Sequence, residues 1–124
     1  MTLDYTISYE NCLINVRTSG VFDFLKAYEM WEAIVASCET HSCARVLGLS
    51  NLSEPIPTMD AYDHLSLLQS VGVTDKHRIA WVAGKPALLE KLRLAETVIR
   101  NRGSLDLRIF ESVTDAQRWL GEND

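Results

Sequence analysis

The sequence has little of what marks several specialised protein classes. It contains three cysteines, an odd number, whereas a secreted domain of this size more often carries an even disulfide framework. Its formal net charge of −5 is the wrong sign for a protein that neutralises phosphate backbones. No uncharged apolar stretch reaches the roughly 18 residues of a membrane span, and the first residues lack the parts of a secretory signal. We therefore expect cytoplasmic residence, no nucleic-acid partner and no stable membrane insertion.

The composition that is present is that of an ordinary globular domain. The chain has 124 residues, of which 47% are hydrophobic and 23% are charged, enough for one hydrophobic core. No linker, repeat or low-complexity segment divides it. We predict a single domain over 1–124, with frayed ends at 1–2 and 122–124. Residues 1–75 hold ten of the seventeen acidic side chains but only three of the twelve basic ones, an asymmetry that can orient a partner.

Hydrophobic periodicity predicts the order ββαβαβαβα. Alternation over 3–9 and 12–18, with a tight turn at Glu10-Asn11, indicates an antiparallel hairpin. Apolar steps of three and four residues then indicate helices that alternate with buried strands. The expected core positions of the first helix are Phe24, Tyr28, Trp31, Val35 and Cys38. The later strands are predicted at 44–49, 78–83 and 105–110, the last of them at an edge. This alternation predicts a mainly parallel five-stranded sheet with helices on both faces.

Turn and capping residues predict where the helices begin and end. Asp23 and Thr58 are the expected N-caps of the first two helices, and Pro86 suits the first position of the third. Thr114 to Gln117 matches a capping box for the last helix. Glycine favours helix termination at Gly72 and Gly103. A Glu96–Arg100 pair is expected on the outer face of the third helix.

Three segments resemble the SpoIIAA-like family of STAS/SEC14-type domains. They are 45–49 before a long loop, 77–82, and the ending in which Leu107 to Phe110 leads into Ala116 to Leu120 with its Trp-Leu finish. The resemblance spans nearly the whole chain and implies kinship of fold with anti-sigma-factor antagonists and SEC14-type lipid-binding domains. Those antagonists carry a phosphorylatable serine in an Asp-Ser-Ser-Gly-like helix start. Here that place reads Pro57 to Asp60, so the motif is absent, and a phosphorylation switch would have to use Ser50, Ser53 or Thr58.

Polar side chains that follow the parallel strands form the candidate binding site. Ligands in open α/β sheets favour the carboxyl ends of the strands. The residues expected to gather there are Ser50, Asn51, Ser53, Thr58 and Lys85. Thr58 could bind phosphate at a helix N-terminus, but plain capping is the simpler interpretation.

Other candidate groups have simpler structural interpretations. Cys38, His41 and Cys43 could hold zinc only with a fourth ligand from Cys12, His64 or His77, and the spacing matches no familiar zinc pattern. Core packing of Cys38 and a solvent-facing His41 are therefore expected. His64 beside Asp63 is interpreted as part of a solvated helix face, and the three tryptophans as packing residues. We expect no catalytic residues, metal or cofactor.

Three functions remain open at this stage. The first is a non-enzymatic interaction or regulatory module of bacterial type that acts through protein partners, as a homodimer. The second, from the SEC14-type kinship, is a carrier of a small apolar or lipid-like ligand, which requires an apolar pocket of about 300 Å³ or more. The third and least favoured is a phosphorylation-switched anti-sigma-factor antagonist.

Overall fold

The computed structural model describes residues 3–121, and the ends expected to fray lie outside these described residues. Its nine elements follow the predicted order ββαβαβαβα. The strands are β1 (Leu3–Glu10), β2 (Leu13–Gly20), β3 (Arg45–Leu52), β4 (Arg78–Ala83) and β5 (Asp106–Phe110). The helices are α1 (Phe24–Thr40), α2 (Thr58–Ser70), α3 (Pro86–Gly103) and α4 (Val113–Gly121). Within these residues, no helix has the length and apolarity needed to cross a membrane.

The chain opens with the predicted hairpin, but its turn lies one residue later than expected. Asn11 and Cys12 both have positive φ, 56° and 62°, which is the geometry of a two-residue turn that matches the twist of paired strands. Glu10 is consequently the last residue of β1 and pairs with Leu13 of β2. Asparagine tolerates the left-handed conformation well, whereas Cys12 carried no signal for this position.

The sheet has the order β1-β2-β3-β4-β5, with β1 antiparallel to β2 and all other neighbours parallel. The mainly parallel sheet predicted from the alternation is therefore confirmed, as is the edge position of β5. β3 runs to Leu52, which pairs with Gly20, so the strand extends three residues beyond the predicted 44–49 into the long loop expected after it.

Helices cover both faces of the sheet, but unequally. α1, α2 and α3 share one hydrophobic core with the sheet, and we call their side the helical face. Crossover connections between parallel strands are almost always right-handed. Because β2 to β5 follow one another in order across the sheet, this handedness places all three connecting helices on the same side. α4 packs alone on the other side, which we call the second face, through Ala116, Trp119 and Leu120 against Leu47 and Val82. The second face therefore stays open over β1 and β2.

The helix ends confirm some capping predictions and correct others. Asp23 caps α1, since its carboxylate accepts from the backbone N–H groups of Leu25 and Lys26. Pro86 occupies the first turn of α3 as predicted, and Gly72 has a positive φ of 98° just beyond α2. The Thr58 cap is wrong: Pro57 is the N-cap residue, and its carbonyl already accepts from Ala61 N–H.

Two further helix ends differ from prediction by one or two residues. The predicted capping box at Thr114 is wrong, because Ser112 precedes α4 and its hydroxyl accepts from Asp115 N–H at 3.2 Å. At the end of α3 the left-handed residue is Ser104, with φ of 55°, while Gly103 is still helical. Gly103 faces the Leu65 side chain of α2, so its missing Cβ permits close helix packing.

The buried stripe of α1 is shifted from the predicted one. Trp31 and Cys38 are buried as expected, but Phe24, Tyr28 and Val35 are only partly buried. The remaining buried positions are Ala27, Met30 and Ile34. The shift arises because α1 meets both the sheet and α2, so the contact side is broader than one row of residues.

The expected outward pair of Glu96 and Arg100 is absent from the described contacts. Glu96 turns instead toward β5, where its carboxylate accepts from Ile109 N–H at 2.8 Å. Arg93 joins it at 3.4 Å from Glu96 and donates to Ile109 O at 3.2 Å. Hydrogen bonds from charged side chains to the unpaired backbone groups of an edge strand contribute more free energy than an exposed ion pair on a helix surface.

Candidate functional site

Four of the five predicted site residues lie at or beside the carboxyl ends of β3 and β4, where parallel strands leave the sheet. The Ser53 hydroxyl donates to Gly20 O at 3.0 Å and therefore ties the end of β3 to that of β2. Lys85 Nζ donates to Leu52 O at 3.0 Å. Both side chains thus hold the strand ends in place, which is a structural role that their polarity alone did not reveal.

The remaining predicted residues point in different directions. Ser50 is 2% exposed and lies on the helical face, whereas Asn51 lies on the second face, as alternation along a strand requires. Thr58 is exposed in the first turn of α2. The structure therefore divides the predicted set between two faces and an outer edge.

A small cavity lies beneath the helices on the helical face. Its volume is about 60 Å³, and all three crossover helices and all five strands contribute to its wall. The aromatic part of that wall is formed by Trp31 and Trp81, whose ring centroids are 5.2 Å apart, and by Phe22. This confirms a packing role for those two tryptophans. The volume also shows that the cavity has room for only a few non-hydrogen atoms.

Two hydroxyl groups enter this apolar cavity from neighbouring strands. Thr18 and Ser50 are direct partners in the parallel pairing of β2 with β3, and they are the buried polar side chains among the described residues. Thr18 was missed by sequence reasoning. The sequence did contain an indication of its burial, because Thr18 follows Ile14 and Val16 at steps of two residues and therefore lies on the same buried side of β2.

His64 also lines the cavity, which makes its interpretation as a solvated helix residue wrong. Its ring lies 5.4 Å from that of Phe22, and its Nδ1 lies 2.6 Å from Asp60 O. Burial lowers the pKa of this imidazole, an effect that the Asp60 carbonyl and the Asp60 and Asp63 carboxylates partly oppose. His64 is therefore favoured as a neutral, apolar-facing group with one polar contact.

The cysteine-rich segment at the end of α1 packs Cys38 in the core and places His41 at the C-cap. Cys38 is buried, and burial raises the pKa of its thiol to about 11, which disfavours the thiolate that metals bind. His41 is exposed as expected, and its ring stacks on Tyr9 at 4.3 Å. Among residues 3–121, no three His, Cys, Asp or Glu side chains are grouped to hold a metal ion.

A polar groove of about 320 Å³ crosses the open part of the second face. It includes Asp4 and Thr6 of β1, Arg17 and Ser19 of β2, and Leu49 and Asn51 of β3. Sequence reasoning singled out only Asn51 here, because exposed residues of a half-covered sheet look like ordinary solvent-facing positions.

Exposed apolar side chains lie at the starts of α1 and α2. Leu25 is 80% exposed, Met59 69% and Tyr62 45%, and we call these three residues the apolar rim. Phe22 connects the two helix starts, since its ring lies 6.4 Å from Phe24 and 5.4 Å from His64. Singly exposed apolar residues are common, but Met59 and Tyr62 lie three residues apart on one side of α2, and Leu25 is exposed at the start of α1.

Comparison with known proteins adds no assignment to this geometry. No protein-family model matches the chain. A search of curated proteins finds no significant match either.

Proposed function

We propose that this domain is a non-enzymatic interaction module that binds a protein partner through the apolar rim. The observation that carries the proposal is the exposure of Leu25, Met59 and Tyr62 at the carboxyl-end side of the sheet. Covering such side chains removes apolar area from water and is worth roughly 25 cal/mol per Å² before the costs of association. The resemblance to regulatory SpoIIAA-like domains and the expected cytoplasmic location belong to the same proposal.

The polar groups near the rim favour binding over catalysis. Ser53 and Lys85, the strand-end groups with the chemistry to act on a substrate, both donate to backbone carbonyls. The exposed charged residues beside Met59 and Tyr62 are acidic, with Glu54 before α2 and Asp63 within it, whereas Lys26 follows Leu25. A partner of matching chemistry presents apolar side chains that are flanked by lysine or arginine, which also steer association.

A paired-variant experiment tests this proposal. Tagged wild type, Leu25→Asp/Met59→Asp and the control Val113→Asp are used to capture proteins from the native cell, and each candidate is then purified and titrated by calorimetry. Val113 is 40% exposed at the start of α4, away from the rim. A purified protein that binds wild type and the Val113 variant but not the rim variant supports the proposal. Equal binding to wild type and both variants, or to none of the three proteins, contradicts it.

The cavity favours a second candidate, the binding of a small apolar ligand that carries one polar group. Thr18, Ser50 and His64 supply hydrogen-bonding groups within an otherwise apolar wall. The volume of about 60 Å³ is well below the 300 Å³ expected for a carrier, so a lipid chain does not fit the closed form. Only a molecule of a few heavy atoms fits this volume.

The second candidate is tested with short-chain alcohols as the probe. We expect NMR shifts at Thr18, Ser50 and Trp81 that are reduced in Thr18→Val, whereas the exposed Thr97→Val in α3 leaves them unchanged. Mass spectrometry of solvent extracts from the purified protein looks for a natural ligand. No probe-dependent shift together with an empty extract contradicts this candidate.

A phosphorylation-switched antagonist has the least support. Ser50 is buried, whereas Ser53 and Thr58 are both exposed, and the Ser53 hydroxyl already donates to Gly20 O. Incubation with the native cell's kinases, followed by phosphosite mapping, tests it. Ser53→Ala and Thr58→Ala variants serve as controls, and absence of phosphate at Ser50, Ser53 and Thr58 contradicts the switch.

A further inference from the structure

The two edges of the sheet differ in how their backbone groups are satisfied. At the β5 edge, side chains of α3 occupy the outward groups of Ile109, with Glu96 accepting from its N–H and Arg93 donating to its carbonyl. Such blocking is one way in which proteins prevent strand addition at an edge. The β5 edge is therefore protected against a further strand.

The β1 edge is long and directs its hydrogen-bonding groups outward. β1 has eight residues without proline, and no strand among residues 3–121 lies beyond it. In a hairpin with a two-residue turn, the residues next to the turn exchange hydrogen bonds, and alternate pairs do so along the ladder. Glu10, Ser8, Thr6 and Asp4 accordingly bond to β2. The N–H and carbonyl groups of residues 3, 5, 7 and 9 point away from the sheet.

We propose that β1 pairs with β1 of a second copy of this chain, antiparallel across a two-fold axis at Thr6. Residues opposite each other then have numbers that add to twelve. Tyr5 exchanges backbone hydrogen bonds with the partner's Ile7, and Thr6 lies opposite the partner's Thr6. The two five-stranded sheets become one ten-stranded sheet, and the outward groups of residues 3 to 9 are paired.

Side-chain chemistry favours this register, with a second copy as the occupant. Aromatic against β-branched and Thr against Thr are among the favourable cross-strand pairs, and both occur here. Asp4 faces the partner's Ser8, so no carboxylates are opposed. A shift of the axis to Ile7 would place Asp4 opposite the partner's Glu10, and like charges directly opposite destabilise a strand pair. The edge is thus self-complementary in both hydrogen bonding and charge.

The proposed dimer also covers apolar area that the monomer leaves partly exposed. Tyr5 and Ile7 are half-buried on the helical face, where they pack on the main core. The Tyr5 hydroxyl donates to Glu29 Oε2 at 2.6 Å, which holds the aromatic ring upright at the edge. This interface is distinct from the apolar rim, so each proposal can fail without the other.

Sedimentation equilibrium over micromolar to millimolar concentrations measures the association constant, and two lysine variants of the same charge test the register. Thr6→Lys places two lysines opposite each other and should weaken association about fivefold or more. Ser8→Lys, an equally exposed change two residues away, places its lysine opposite the partner's Asp4 and should preserve or strengthen association. Circular dichroism and thermal unfolding confirm that both variants are folded.

A charge-swap experiment completes the test. Thr6→Glu alone should also weaken association, and an equimolar mixture of Thr6→Lys with Thr6→Glu should restore it as a heterodimer. A wild-type protein that stays monomeric at millimolar concentration overturns the proposal. A dimer that responds equally to Thr6→Lys and Ser8→Lys, or to neither, overturns the register and with it the assigned interface.

Discussion

At the scale of single residues, Gly48 shows how one missing side chain shapes the helical face. It is the register partner of Trp81, and a Cβ at this position would overlap carbon atoms of the indole ring. Gly48→Ala should therefore destabilise the protein by about 1–3 kcal/mol, the usual cost of overpacking a core. Urea unfolding measures the change.

Gly121→Ala is the matched control for this substitution. Gly121 ends α4, and a Cβ there would meet no atom within 4 Å. Alanine in a helix is favoured over glycine by up to about 1 kcal/mol, so stability should stay the same or rise slightly. Equal losses at both positions would show that contact with Trp81 is not the cause.

His64 should make the stability of the domain depend on pH. Burial lowers its pKa in the folded state below the ordinary value of 6.5. At a pH between the folded and the unfolded pKa, the unfolded chain therefore binds more protons than the folded one. Its contribution is fully present above pH 6.5 and is lost as the pH falls toward the folded pKa. When the free energy of unfolding is measured from pH 7.5 to pH 5, the loss of stability toward low pH should be smaller in His64→Gln than in wild type. The control His41→Gln, at an exposed histidine, should lose stability toward low pH as wild type does. The same pH dependence in both variants would contradict the role given to His64.

At the scale of elements, the link between α3 and β5 explains how the sheet ends. The Glu96 side chain is 14% exposed and bonds to Ile109 N–H as well as to Arg93. Glu96→Ala should cost about 1.5–3 kcal/mol, the range for hydrogen bonds that involve charged groups. Hydrogen exchange at the Ile109 amide should become faster, because that edge would then face water.

The control for this link is Glu90→Ala on the same helix. Glu90 is exposed, and such surface changes usually stay within about 0.5 kcal/mol. If the two alanine variants exchange the Ile109 amide at the same rate, the proposed edge protection by Glu96 is wrong.

At the scale of the whole molecule, the second face depends on one short helix. Trp119 of α4 packs on Phe110 with ring centroids 5.7 Å apart, and Arg78 lies 4.2 Å above its ring. Trp119→Ala should cost about 3–5 kcal/mol, a large part of the 5–15 kcal/mol that stabilises a typical domain. Urea unfolding measures this loss. The exposed neighbour Arg118→Ala should change little, and similar losses for both would argue against this packing.

Periodicity and turn residues were sufficient for the order and type of every element. Strands 78–83 and 105–110 were predicted within one residue of their observed bounds, because a short apolar run between turn residues has few alternatives. Caps were harder. Thr58 and Ser112 show that several residues near a helix start can accept its N–H groups, and only the path of the entering chain selects one.

The sequence by itself determined the α/β class, the hairpin and the parallel sheet, since these follow from local patterns of period two and 3.6. Tertiary structure alone decided that Thr18, Ser50 and His64 meet in one cavity, although Ser50 had been placed at the strand ends. It also decided that one sheet edge is blocked and the other open, because Arg93, Glu96 and Ile109 come together only after α3 docks on β5. Contacts between residues distant in sequence depend on how elements pack, and no local pattern records that packing.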